Sequence, residues 1–252
     1  MILALDRVGP PTKAHKVFVR ARKAERGYVS RLLKIAKHIA DLVDGIYQPD
    51  EAASNDRLAS ALERYAQILE PWARAVGSRM VAEVNASDRR AWRETSAEIG
   101  RRLREQLTET ELGRLTQRRL EDQIDLITSL PRDAAERVRK LTLEGLTNGV
   151  RAKVIASEIM RSGEVSKSRA MLIARTEVSR TSTEFTRARA ESVGSTHFIW
   201  RTSGDSDVRK SHRALNGKTF RWDQPPECDP GHHALPGAIW NCRCFAEPVF
   251  AD

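Results

Sequence analysis

The chain has 252 residues, of which 40% are hydrophobic, 31% charged and only 6% aromatic. This balance is leaner in apolar content than an ordinary globular domain and suits exposed helices better than one thick core. A formal net charge of +9 favours polyanions or acidic protein surfaces as neighbours; no run approaches the ~20 apolar residues that a bilayer span requires, and no membrane partner is expected.

The opening Met1-Ile2-Leu3-Ala4-Leu5 is too short for a signal-peptide core and meets Asp6 at once. A soluble chain made in a cytosol is therefore expected. Val17, Ala21, Ala24, Tyr28, Leu32, Ile35, Ile39 and Leu42 recur every three or four residues, the stripe of one long helix that Gly45 and Pro49 interrupt. Leu58, Leu62, Tyr65, Leu69 and Trp72 draw a second stripe, with Pro71 placed to kink or end it. A third runs through Trp92, Ile99, Leu103 and Leu107, and Pro131 suits the first turn of a further helix. Much of the charge, as in Arg101-Arg102-Leu103-Arg104-Glu105, reads as solvated helix surface. Single narrow stripes must pack on one another or on a partner, so residues 1–147 are expected to form a helical bundle or arm.

Residues 148–252 follow a weak break at Thr147-Asn148-Gly149 and form the second expected domain. Ser166 is a candidate cap for a long helix over about 166–193, with Ala174, Val178, Thr181, Phe185 and Ala188 buried and Gly194 as terminator. Beyond it, over 195–252, the character changes. Thr196 to Thr202, Thr219 to Trp222 and Phe245 to Phe250 read as short strands, with Pro/Gly-rich loops between them. The fold class is thus α+β and predominantly α-helical: a long helical region followed by a small, loop-rich module.

That module holds all three cysteines, Cys228, Cys242 and Cys244, an odd and clustered set that argues against a disulfide framework. Thiolates and imidazoles are the donors of a zinc site, and ligation can replace missing core in a small loop-rich module. Cys242-x-Cys244 is tighter than the usual zinc pair, but an extended backbone turns both thiols to one face. The best ligand set is His212, Cys242 and Cys244, with Cys228, His233 or Asp205 as the fourth, for one structural zinc ion. The competing reading is that reduced Cys and His pack in a small core, and it is the better one for His197 within a strand.

Enzymatic readings fare worse. His212-Arg213-Ala214 lacks the Glu that a zinc deaminase places two residues after its His, and no Gly-rich phosphate loop supports an ATPase. No enzyme, and no small-molecule substrate, is expected.

Several short motifs follow one another in order: Ile173-Ala174-Arg175-Thr176-Glu177, Phe198-x-Trp200-x-Thr202-x-x-Asp205, Asp207-Val208-Arg209-x-x-His212, Leu215-Asn216-Gly217-Lys218-x-Phe220, Pro236-Gly237 and Asn241-Cys242-Arg243-Cys244. Through them the stretch from about Ser168 to Phe250 resembles the phage Mu F-like (SPP1-type) head morphogenesis family of tailed phages. The resemblance implies a minor head protein of the virion, assembled in the host cytoplasm. It would act at the portal or inner capsid, with the portal or major capsid protein and non-specifically held double-stranded DNA as partners. It also implies a conserved structural site at His212, Cys242 and Cys244, with Asp205 and Asp207 among the motif positions. Cys228 and His233 fall in a variable loop. With the pattern in view, Arg175 and Glu177, together with Asp207 and Arg209, read as a clasp between the module and its feeding helix. The alternatives are a basic nucleic-acid-binding protein with a zinc module and, more remotely, a metal-dependent hydrolase or toxin-like domain.

Overall fold

A computed structural model describes residues 13–98, 109–148 and 152–250. The helices are α1 (Lys13–Ile46), α2 (Ala53–Ile68), α3 (Glu70–Glu98), α4 (Glu109–Asn148), α5 (Ala152–Met160), α6 (Ser162–Ser192) and α7 (Lys210–Leu215). The strands are β1 (His197–Arg201), β2 (Thr219–Arg221), β3 (Glu227–Asp229), β4 (His232–His233) and β5 (Phe245–Val249). The protein is α+β and mainly α. Of the stripes read above, Ile99, Leu103 and Leu107 lie outside the described residues, as do Arg101 to Glu105, Gly149 and the side chains of Val17 and Ala21.

The chain divides into two compact units that do not follow sequence order. One draws on the described parts of Met1–Arg26, Arg79–Arg119 and Arg175–Asp252, the other on Gly27–Ser78 and Leu120–Ala174. Helices α1, α3, α4 and α6 contribute residues to both.

Among the described residues, the second unit has helices and no strand. Its core takes the expected stripe of α1, with Tyr28, Leu32, Ile35 and Ile39 buried and Val43 replacing Leu42, and adds Leu58, Leu62, Ile127, Leu130 and Val138. The Tyr28 hydroxyl donates to Gln123 Oε1 at 3.0 Å inside this core. Helix α6 approaches α1 so closely that a Cβ at Gly163 would stand 2.6 Å from Ala40 Cβ. Gly163→Val is accordingly expected to cost about 1–3 kcal/mol through overpacking. Gly113→Ala is the matching control, since its added Cβ meets nothing within 4 Å; it should stabilise by about 0.5–1 kcal/mol. Urea unfolding of both variants checks the pair.

Two helix starts differ from expectation. Pro131 does not open a helix but sits inside α4. Its missing N–H and its ring cost the preceding turn backbone bonds. The carbonyl that loses its donor is that of Ile127, four residues back; on either side of it, Arg132 Nε donates to the Thr128 carbonyl at 3.2 Å and Ser129 Oγ to the Leu126 carbonyl at 2.9 Å. Ser166 is not a cap but a buried residue within α6, which already begins at Ser162. Pro71 falls in the first turn of α3, where its lack of a donor is harmless, and α2 ends at Ile68 before it.

The first unit carries all the described strands. Helix α6 ends on Gly194 at φ +84, with Gly194 N–H bonded to the Glu191 carbonyl and Ser195 N–H to the Ala190 carbonyl, a Schellman close that turns the chain into β1. The sheet order is β2-β1-β5, both pairings antiparallel. Pro248 is tolerated because β5 is an edge strand. The stretch after β2, read as loop, holds the small hairpin β3-β4, joined by Pro230-Gly231 with Gly231 at φ +77. Buried Phe198, Trp200, Trp222, Ala190 and Ala246 share one core cluster with Cys228, Cys242 and Cys244.

Candidate metal centre

The segment 236–244 is held against α6 by polar side chains of that helix. Thr183 Oγ1 donates to the Pro236 carbonyl at 2.7 Å, and Arg180 donates to the Ala238 carbonyl through Nη2 at 2.8 Å and Nε at 3.0 Å. Arg175 Nη1 reaches Asn241 Oδ1 at 2.8 Å, while Asn241 N–H donates to Thr176 Oγ1 at 3.1 Å. Asn241 takes φ +62, a left-handed conformation that Asn adopts more readily than most residues. Gly237, at φ +82, passes so close to α6 that a Cβ there would lie 3.0 Å from the Cys244 carbonyl and 3.2 Å from that of Ser179.

From this fixed start residues 242–244 alternate inward and outward. Cys242 and Cys244 are buried, and Arg243 between them faces outward to Asp205 at 2.9 Å and Asp207 at 3.1 Å. Helix α7 supplies His212, also buried, with its ring edge-on to Trp200. His212 Nδ1 lies 3.4 Å from Cys242 Sγ and 3.5 Å from Cys244 Sγ. The ligand atoms of all three residues fall within 4.8 Å of one another, the one such group among the described residues.

This set fits a metal ion. With metal–sulfur bonds of about 2.3 Å and metal–nitrogen bonds of about 2.0 Å, the sulfur–nitrogen edge of a tetrahedral site is about 3.5 Å. The electrostatics point the same way. The Cys242 thiol has its pKa lowered to about 5, chiefly by the Cys244 thiol that donates to it and secondarily by His212 beside it. The Gly237 N–H also donates to this sulfur, at 3.3 Å. Cys244, facing that sulfur and buried, is pushed upward. Near neutrality the pair thus holds a thiolate ready to ligate.

The other ligand candidates have different partners. Cys228 is buried in the same core, its thiol donates to the His232 carbonyl at 3.4 Å, and burial raises its pKa. His233 is exposed, with Nδ1 3.2 Å from the Pro225 carbonyl. Asp205 pairs with Arg22 at 3.1 Å as well as with Arg243. Arg209 donates to the Trp240 carbonyl at 2.9 Å. Glu177 is fully buried, 2.8 Å from Arg180 and 3.8 Å from Arg119, while Arg175 also faces Glu25 at 3.5 Å.

Sequence reasoning missed Asp229, whose Oδ1 lies 3.6 Å from His212 Nε2, and the roles of Arg180 and Thr183. A Pro-Gly pair between two short runs is a hairpin signal that could have placed Asp229 on a strand. Nothing local marks Arg180 or Thr183, since both bond carbonyls more than 50 residues away.

Comparison with known proteins is consistent with this layout. A Haemophilus influenzae protein described only as uncharacterized is 35% identical over 126 residues, covering 50% of this chain and 27% of its own length. The chain thus spans about a quarter of that relative. No solved structure matches. The family model of phage Mu protein F like proteins matches residues 136–247, a stretch that contains the feeding helix, the sheet as far as the middle of β5, and all three residues of the cluster. Through residues 136–247 the chain is thus similar to phage Mu protein F like proteins.

Proposed function

We propose that this protein is a minor head protein of a tailed bacteriophage, a non-enzymatic part of the virion that acts in head morphogenesis. The observation that carries this reading is the burial of the Cys/His centre inside the family-matched stretch. His212, Cys242 and Cys244 are 2%, 2% and 4% exposed, so a metal there braces a fold and has no open face for a substrate. Zinc is the ion we assign, from two sulfur donors and one nitrogen at tetrahedral spacing. Bound, it would tie α7 to the Cys242–Cys244 segment.

In this reading residues 148–252 form the head morphogenesis domain, residues 1–147 supply the helical surface for the portal or capsid shell, and the clasp of Arg175, Glu177, Asp207 and Arg209 holds the module to its helix. The net charge of +9 favours non-specific contact with packaged DNA. Quantitative mass spectrometry of purified particles and of heads made before packaging tests the proposal. A few to a few dozen copies in both are expected; absence from both would remove the structural role. DNA contact is tested separately by affinity, which should fall steeply with added salt as counterions are released.

A further inference from the structure

His212 presents Nδ1 to the two cysteines, which leaves Nε2 on the other side of the ring, buried and without a hydrogen-bond partner. A neutral imidazole that offers its Nδ1 lone pair to a metal must carry its proton on Nε2. That N–H then needs an acceptor, because a buried donor left unmade loses its hydration for nothing. Facing it is Asp229, with Oδ1 at 3.6 Å, a few tenths of an ångström beyond hydrogen-bond range.

Asp229 is itself fixed. The Ser211 hydroxyl donates to the same Oδ1 at 2.8 Å, and Arg209 Nη1 stands 3.6 Å from Oδ2. Strand β3, which carries Asp229, packs on α7, which carries His212. Because Asp229 and the cysteine sulfurs address different nitrogens of one ring, Asp229 is not placed to ligate the same ion.

We infer that Asp229 is the positioning residue of this centre: it accepts the His212 Nε2–H and so fixes the ring with its Nδ1 lone pair aimed between Cys242 and Cys244. The inference rests on the metal reading and extends it. The β3-β4 hairpin thereby acquires a purpose, which is to bring one carboxylate to the back of the ligating histidine. Carboxylates in that place typically change metal affinity by 10–100-fold when removed.

The test is titration of the full-length wild type, Asp229→Ala and Asp229→Asn with zinc alone against a competing chelator. We expect one equivalent bound by the wild type, affinity about 10–100-fold weaker in Asp229→Ala, and a smaller loss in Asp229→Asn, whose amide oxygen still accepts. Equal affinity in wild type and Asp229→Ala overturns the inference and leaves the metal reading intact. No zinc taken up by the wild type overturns both. If Asp229→Ala fails to fold, nitrogen NMR of the zinc-loaded wild type decides: a proton on His212 Nε2 is expected, and zinc bound through Nε2 overturns the proposal.

Discussion

Replacing Asp88 by alanine is expected to destabilise the strand-bearing unit by about 3–5 kcal/mol, because it takes a carboxylate partner away from a fully buried guanidinium. Arg189, on α6, has no exposed surface, and its Nη1 makes a short contact with Asp88 Oδ2 on α3. Nη2 donates to Asn85 Oδ1 at 2.6 Å, and Thr186 Oγ1 donates to Asp88 Oδ1 at 2.6 Å. The Phe185 ring lies under the guanidinium at 5.7 Å. Asp88→Asn should cost less, since the amide keeps one acceptor oxygen. The double replacement Asp88→Leu with Arg189→Met should recover much of the loss, as buried ion pairs exchanged for apolar residues of similar volume often do. A double-mutant cycle by urea unfolding separates these outcomes. Additive costs would mean that the two side chains do not act as a pair.

What could be read from the sequence follows from what local pattern encodes. Tyr28, Leu32, Ile35 and Ile39 were legible as one face because helical period and burial coincide there. His212, Cys242 and Cys244 were legible as a group by residue type, and the alternation of 242–244 placed both sulfurs on one side. Arg189 and Glu177 were not legible as core, since pattern reading puts charge outside, and Asp88 beside Arg189 and Arg119 beside Glu177 lie on other helices. Helix α7 is six residues long, less than two turns, too short for a periodic signal. Pro131 misled for a different reason: its local rule is sound, but packing overrides it, with Leu130, Ala134 and Ala135 all buried on the same helix. The division into two units was also out of reach, because long helices carry no mark where they pass from one core to another.

On the proposed zinc reading, the larger expected effect is that of removing the metal or one of the thiols that would hold it. Cys242→Ser, or dialysis of the full chain against a strong chelator, is expected to cost the strand-bearing unit most of its cooperative unfolding. Structural zinc contributes about 10–16 kcal/mol of apparent binding free energy in small zinc-dependent folds, more than most domains have to lose. Here the ion would join α7 to the end of the 236–244 segment, while Phe198, Trp200 and Trp222 supply apolar core of their own. The metal-free form is therefore expected to keep its helical circular dichroism and to lose fixed tryptophan signals. The thiol pair also sets a pH signature. Cys242 has its pKa lowered to about 5 and Cys244 has its raised. From about 5 up to the ordinary thiol value of 9.0 the folded metal-free pair thus holds one proton fewer than the unfolded chain. Stability gained from that pair is present above the unfolded pKa of Cys242 and is lost as pH falls through about 5. Above 9.0 the sign reverses, because Cys244 retains its proton after the unfolded thiols have lost theirs. Zinc binding at neutral pH should then release one proton from the pair, that of Cys244, since Cys242 has already given up its own. Calorimetric titration in two buffers of different ionisation enthalpy counts that proton. Two released by the pair would mean that Cys242 is not a thiolate before the metal arrives, and the hydrogen bonds from Cys244 and Gly237 would then need another explanation.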